Sequence, residues 1–393
     1  MQTTFEQTED RNPISGEHTA MQTTFEQTED RDPMNNDTNN GKNKSIIEQI
    51  LSAVKHLSHL FERRKHFTFL LVGRTGVGKS STINSLLGKD VAPVGNFDPT
   101  TFEVTQYHCT LEGVKFTVYD TPGLCDGLEE EGNDIKYLKK ISDKVKEFDC
   151  LWYVTPLDYT HVTGDEQRAI KMLSEAFGSK IWDRSLIVFT RADKVPSDRF
   201  EEFLRERTKR VRGVITKYGQ HPSAEEVPSV AVANGQKNLP DGKEWLGELF
   251  TVTLERCSGA GVVPFLLAMR NDVVPAKQRK FRAAEEVAAT TVENVPIPAM
   301  TQAQSPQPQV IVVQQPPPAP SPEPQPRIVL NPSQKRRVRK RLTETLPQTI
   351  GAGAALGGAV GFATGGFLGV LPAAAFGALG GAVFGVLSWL FDW

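Results

Sequence analysis

Three short stretches of this chain combine residue types and spacings suited to one kind of chemistry. Gly73-Arg74-Thr75-Gly76-Val77-Gly78-Lys79-Ser80 reads G-x-x-x-x-G-K-S between an apolar run, Phe67–Val72, and a helix predicted over Ser81–Leu87. Glycines let backbone N–H groups curl toward the oxygens of a phosphate chain, with a helix N-terminus behind them. Lys79 would reach the β and γ phosphates and the Ser80 hydroxyl would ligate Mg²⁺, with Ser81 next in the phosphate-facing run. Asp120-Thr121-Pro122-Gly123 closes a later predicted strand. There Asp120 would hold Mg²⁺ through water, and the Gly123 N–H would approach the γ-phosphate. In Thr190-Arg191-Ala192-Asp193, the carboxylate would accept from guanine N1–H and N2–H₂, groups that adenine lacks. Arg191 would lay its planar guanidinium and stem on the base. Asn234, at the end of the last predicted strand, either closes the base pocket or is a plain turn residue. Thr100 and Thr101, on the loop Ala92–Thr101, would sense the γ-phosphate and Mg²⁺.

These residues need a scaffold that brings them to one edge. Apolar strands are predicted at Phe67–Val72, Glu103–Thr110, Val114–Tyr119, Cys150–Thr155, Ser185–Thr190 and Ser229–Ala233. Strands alternating with helices imply an α/β domain with a mostly parallel sheet covered on both faces. Ligands then sit at the carboxyl ends of the strands, where all three stretches fall. Ser45 caps a predicted helix running to Arg64, and another helix ends near Cys257.

Composition divides the rest. Residues 1–44 are polar and duplicate Met1–Asp10 as Met21–Asp30, which makes Met21 a candidate second start; the segment is expected to be disordered. Residues 45–270 form the nucleotide-binding domain. Residues 271–334 are read as a linker, with a polar helix at Ala276–Val292 and a Pro-rich stretch at Pro296–Pro332. A basic segment, 335–346, precedes a tail, 347–393, that carries no charge from Ile350 to Leu390. A net charge of −2 gives no global pull toward nucleic acid. Beside an uncharged tail, the cations of Lys335–Arg341 fit anionic lipid and the positive-inside rule. Gly357, Gly361, Gly365 and Gly369, then Gly377, Gly381 and Gly385 after Pro372, recur at four-residue spacing. Small residues so spaced let helices pack closely in a membrane. A transmembrane hairpin of Ile350–Leu371 and Ala373–Leu390 is preferred to a single tilted anchor, with Trp389 and Trp393 in an interfacial belt. The four cysteines show no paired or metal-ligand spacing, so they read as reduced thiols in a cytosolic domain.

With these motifs, the chain from about Ser45 to Leu267 resembles the septin-related GTPases. Within them it is similar to the plastid outer-envelope import receptors and the avirulence-induced-gene (immune-associated) GTPases. Branch-specific blocks carry that resemblance: Gly78–Leu86, Leu151–Asp158, Phe177–Trp182, and Leu239-Pro-Asp-Gly with Trp245. The resemblance implies GTP/GDP with Mg²⁺, slow hydrolysis, and a G domain that dimerises with itself or with a related GTPase. It also implies a place on the cytosolic face of an organelle membrane. Where the receptors supply an Arg from the dimer partner, this chain has His161, charged only part of the time near neutral pH. Leu124 and Cys125 stand where a water-orienting Gln would. An enzyme-like switch and a membrane scaffold with structural nucleotide are therefore both open, with glycine-zipper membrane remodelling a third reading.

Overall fold

Apolar strands with few polar interruptions must be buried on both faces, and this chain does so in a six-stranded sheet. The computed structural model describes residues 52–94, 104–121, 139, 141–219, 224–275, 326–345 and 377–391. The strands are β1 (His66–Val72), β2 (Thr105–Leu111), β3 (Val114–Thr121), β4 (Cys150–Pro156), β5 (Ser185–Thr190) and β6 (Ser229–Ala231). Their order is β2-β3-β1-β4-β5-β6, with β2 antiparallel to β3 and all other pairs parallel. Observed bounds shift by a residue or two from expectation. β3 runs on through Asp120, and β6 stops before Val232 because its pairing to β5 ends there.

Helices cover both faces: α1 (residues 52–63), α2 (Lys79–Leu87), α3 (Gly164–Phe177), α4 (Phe200–Gly219), α5 (Leu246–Arg256), α6 (Gly259–Ala268) and the short α7 (Arg270–Val273). Ala53, Val54, Leu57 and Phe61 give α1 its buried stripe. Ile46, Ile47 and Ile50, also expected there, lie outside the described residues. On the α6 side, the rings of Phe67, Phe69, Phe116, Phe250 and Phe265 interlock, with Phe67 and Phe265 centroids 4.9 Å apart. Trp182, from one of the branch-specific blocks, is fully buried and donates to Ser174 Oγ at 2.9 Å.

The far end of the chain departs from expectation. Residues 326–331, assigned to the linker, form a strap on the domain, and the basic segment is a helix, α8 (Pro332–Thr345). The local reason is a reciprocal cap: Gln334 N–H donates to Asn331 Oδ1 and Asn331 N–H donates to Gln334 Oε1, both at 2.9 Å, with Pro332 at the first helical position. Ile328, Leu330, Val338 and Leu342 are buried. Arg337 forks onto Glu248 and Glu255 of α5, and Arg341 donates to the Cys257 carbonyl at 2.7 Å. The cations read as facing lipid are thus divided; Arg336 and Lys340 stay exposed, while Arg337, Arg339 and Arg341 engage protein.

In the second tail half, α9 (Gly377–Phe391) has 15 residues, about 22 Å of helix against a ~30 Å hydrocarbon core. Among the described residues no helix is long and apolar enough to cross a membrane. Val383, Val386, Leu387, Trp389 and Leu390 are buried where α9 meets α6 and α8. Arg339 caps the Leu390 carbonyl at 2.6 Å, and the Lys335 ammonium lies 4.8 Å from the Trp389 ring. Trp389 therefore packs on protein here rather than in an interfacial belt. The first tail half, the glycines Gly357–Gly369, Trp393, the helix expected at Ala276–Val292 and the duplicated N-terminus lie outside the described residues.

Candidate nucleotide-binding site

Parallel strands that share a register end together, and here that brings the three motifs to one edge. Val72 pairs with Thr121 and Tyr153, and Pro156 pairs with Thr190. The loop leaving β1 turns at Gly73, where an added Cβ would lie 2.2 Å from the Val154 carbonyl oxygen. Only glycine allows that approach. Lys79, almost fully buried, folds back to donate to the carbonyls of Gly73 at 2.8 Å and Arg74 at 3.0 Å. The ammonium so satisfies the Gly73 carbonyl and shares the Arg74 carbonyl with the Val77 N–H, which fixes it against the loop.

Asp120, next to last in β3, lies beside that ammonium, with Oδ1 3.5 Å from Lys79 Nζ. The carboxylate is buried, and Oδ1 has no hydrogen-bond partner among the described residues. Burial raises the Asp120 pKa, opposed by the charge and hydrogen bonding of Lys79. A buried anionic oxygen with only a longer ion-pair contact is under-compensated, and a hard divalent cation suits it. Ser80 stands half-buried in the first turn of α2, beside Lys79. The donor set therefore fits Mg²⁺. Thr100, Thr101 and Gly123 lie outside the described residues.

The base motif meets the loop through its first two residues. Thr190 donates to the Val77 carbonyl at 2.6 Å, and the Arg191 guanidinium donates to Gly76 O at 3.1 Å. Arg191 adopts a left-handed backbone, φ 57°, which turns the chain into the short 3₁₀ helix Ala192–Lys194. Its guanidinium was expected on a base; in the structure it bridges to the loop. Asp193 is mostly buried and pairs with its neighbour Lys194 at 3.3 Å. Asn234 donates to Thr82 Oγ1 at 2.9 Å on α2, so its side chain ties the last strand to the phosphate-loop helix. Thr82, absent from the sequence reading, also donates to the Gly78 carbonyl at 2.8 Å.

His161 lies exposed on the loop after β4, apart from the contacts that join the three motifs. The structure adds what holds that loop. Arg207 of α4, fully buried, donates to His161 O at 2.7 Å, Thr155 Oγ1 at 2.9 Å and Glu166 Oε1 at 2.6 Å. Arg210 donates to Thr160 O at 2.5 Å and reaches His161 Nδ1 at 3.4 Å. Glu166 completes a capping box with Thr163 at the start of α3. The pattern Thr163-x-x-Glu166 was legible in the sequence; nothing local pointed to Arg207.

Residues 67–225 match the family model described as the AIG1 family. The chain is 30% identical over 203 residues to the translocase of chloroplast 34 of Arabidopsis thaliana, covering 48% of this chain and 64% of that one. It is 32% identical over 207 residues to the translocase of chloroplast 34 homolog of Chlamydomonas reinhardtii, covering 47% and 52%. The chain thus matches less than two thirds of the length of these curated relatives. A crystal structure of Toc33 from Arabidopsis thaliana in complex with Mg²⁺ and GMPPNP is 25% identical, covers 56% of this chain and 92% of that one, and has a TM-score of 0.43. Similarity that loose carries no geometry across. With the fold, the loop and the family match in one place, the chain carries an AIG1-family domain over residues 67–225.

Proposed function

We propose that this protein binds GTP and GDP with Mg²⁺ at the Gly73–Ser80 loop, hydrolyses GTP slowly, and acts as a dimerising switch or receptor on the cytosolic face of an organelle membrane. The observation that carries the site is the buried Asp120 carboxylate, whose Oδ1 lies 3.5 Å from the Lys79 ammonium and makes no closer hydrogen bond among the described residues. In this reading Lys79 releases its loop carbonyls for phosphate oxygens. Asp120 and Ser80 hold Mg²⁺, which supplies neutralisation of charge on the β and γ phosphates when bound. Gly73, Gly76, Gly78 and the start of α2 present backbone donors. Asp193 selects guanine, with Thr190, Arg191 and Asn234 fixing its loop against the phosphate loop. Thr101 and Gly123 complete the γ-phosphate side, and Thr100 shares the metal role.

The membrane part rests on the uncharged run from Ile350 to Leu390 and on exposed Arg336 and Lys340. The relatives' names favour a plastid envelope. Dimerisation through the nucleotide face follows from the family resemblance and brings in His161. Purified full-length chain should bind GTP with Mg²⁺ and discriminate against ATP, and Lys79→Ala should lose the binding. Equal affinity for ATP would remove the guanine assignment. Turnover below detection at every protein concentration would leave the second reading, a membrane scaffold with structural nucleotide. One feature favours that reading: His161, where the import receptors place an arginine, packs beside Arg210.

A further inference from the structure

We infer that Arg327 is a positioning residue for the phosphate-binding loop, acting through the opposite end of α2 from the C-terminal part of the Pro-rich stretch. The inference rests on the proposed nucleotide site at the start of that helix. α2 has only nine residues and no basic residue in its last turn. A helix end leaves carbonyls without intrahelical donors and a partial negative charge, both of which a cation relieves. Gly88 N–H takes the Asn84 carbonyl at 2.8 Å. The next two carbonyls are taken by a single side chain, with Arg327 Nη1 donating to Ser85 O and Nη2 to Leu86 O at 2.6 Å.

The guanidinium is itself fixed. Arg327 Nε donates to Asp272 Oδ1 at 2.9 Å, and the next residue, Ile328, is fully buried and donates its N–H to Asp272 O at 2.8 Å. Two glycines make room for the strap. A Cβ at Gly88 would lie 2.9 Å from the guanidinium, and one at Gly247 would lie 2.5 Å from Val329 O. The strap continues into α8, whose Arg337 fork and buried Val338 and Leu342 hold it on α5. A short helix gripped at its C-terminus cannot tilt freely. Its first turn, with Lys79 and Ser80, is therefore held by residues at the end of the Pro-rich stretch.

The experiment uses the full-length chain and two readouts. Hydrogen exchange without nucleotide is followed in the peptide covering residues 79–88, and dissociation of a fluorescent GDP is timed with Mg²⁺ present. Arg327→Ala should speed both by about tenfold, and Arg327→Lys should restore part of the loss. Asp272→Asn, which frees the guanidinium while keeping side-chain volume, should give a smaller change of the same sign and guards against misfolding of the first variant. Unchanged exchange at 79–88 in Arg327→Ala and Asp272→Asn would overturn the bracing. Faster exchange with an unchanged GDP rate would overturn the positioning role. If the wild-type chain holds no guanine nucleotide, the proposed function falls instead, and the exchange result alone decides the brace.

Discussion

At its N-terminus α2 meets a loop written in one continuous stretch of sequence, whereas its C-terminus meets Arg327, more than 200 residues further along the chain. The first end is built of backbone. Glycines shape the turn, and Lys79 bonds the loop's own carbonyls. The second end is built of side chain, a guanidinium that closes two carbonyls and an aspartate. A site that must bind and release needs donors that can change partner. A mount for that site needs partners that do not, which is why the brace carries a neutralised ion pair and buried apolar cover.

Variants that strike the two ends unequally sharpen this contrast. Lys79→Ala should weaken GTP binding by about a hundredfold or more by titration calorimetry, since it removes a charge-assisted contact to phosphate. It also leaves the buried Gly73 carbonyl and the Asp120 carboxylate without their cation, so the unfolding transition should shift as well. Arg207→Ala acts on stability rather than on phosphate contact. Removing one member of a buried ion pair costs about 3–5 kcal/mol, which should lower the melting temperature by about 10 °C. It should also free the loop bearing His161. Leu342→Ala in α8 tests the mount by another route. A buried leucine lost from the α5 interface should cost about 2–3 kcal/mol in denaturant unfolding of the full chain. A change near zero would mean that α8 merely rests on the domain.

Asp120→Asn gives the smallest and most diagnostic shift. Burial raises the folded-state pKa of this carboxyl, so between the ordinary carboxylate value and the raised one the folded chain binds more protons than the unfolded chain. Stability without ligand therefore falls as pH rises through that window. Removing the charge should raise the nucleotide-free melting temperature at neutral pH by a few degrees while abolishing Mg²⁺ dependence of GTP binding. The same shift predicts that Mg²⁺-dependent affinity declines on acidification at a higher pH than an ordinary carboxylate would give. A variant that melts lower would show that the Lys79 contact outweighs desolvation.

The phosphate loop, the mostly parallel sheet implied by strands alternating with helices, and the meeting of Gly73–Ser80 with Asp120 and Thr190 were legible because each depends on local pattern. A glycine-rich turn between strand and helix has few ways to fold, and parallel strands end at a common edge. The pattern Asn331-Pro332-Ser333-Gln334 was equally local, yet the prolines before it and the cations after it drew the reading toward linker and lipid. Arg191 was expected on the base from its place in a motif, and Asn234, at the end of the last predicted strand, either at the base pocket or as a plain turn residue. Their partners, the Gly76 carbonyl and Thr82, come from the phosphate loop and α2.

What the sequence determined by itself was which residues meet at the sheet's carboxyl edge, since a glycine-rich turn between strand and helix and an aspartate near the end of a parallel strand have little choice of place. The tertiary structure decided which distant groups hold that edge still. Arg207 beneath the His161 loop and Arg327 under α2 each satisfy backbone carbonyls far away in sequence. A guanidinium finds such carbonyls only once the helices are in place, so no spacing in the chain announces it.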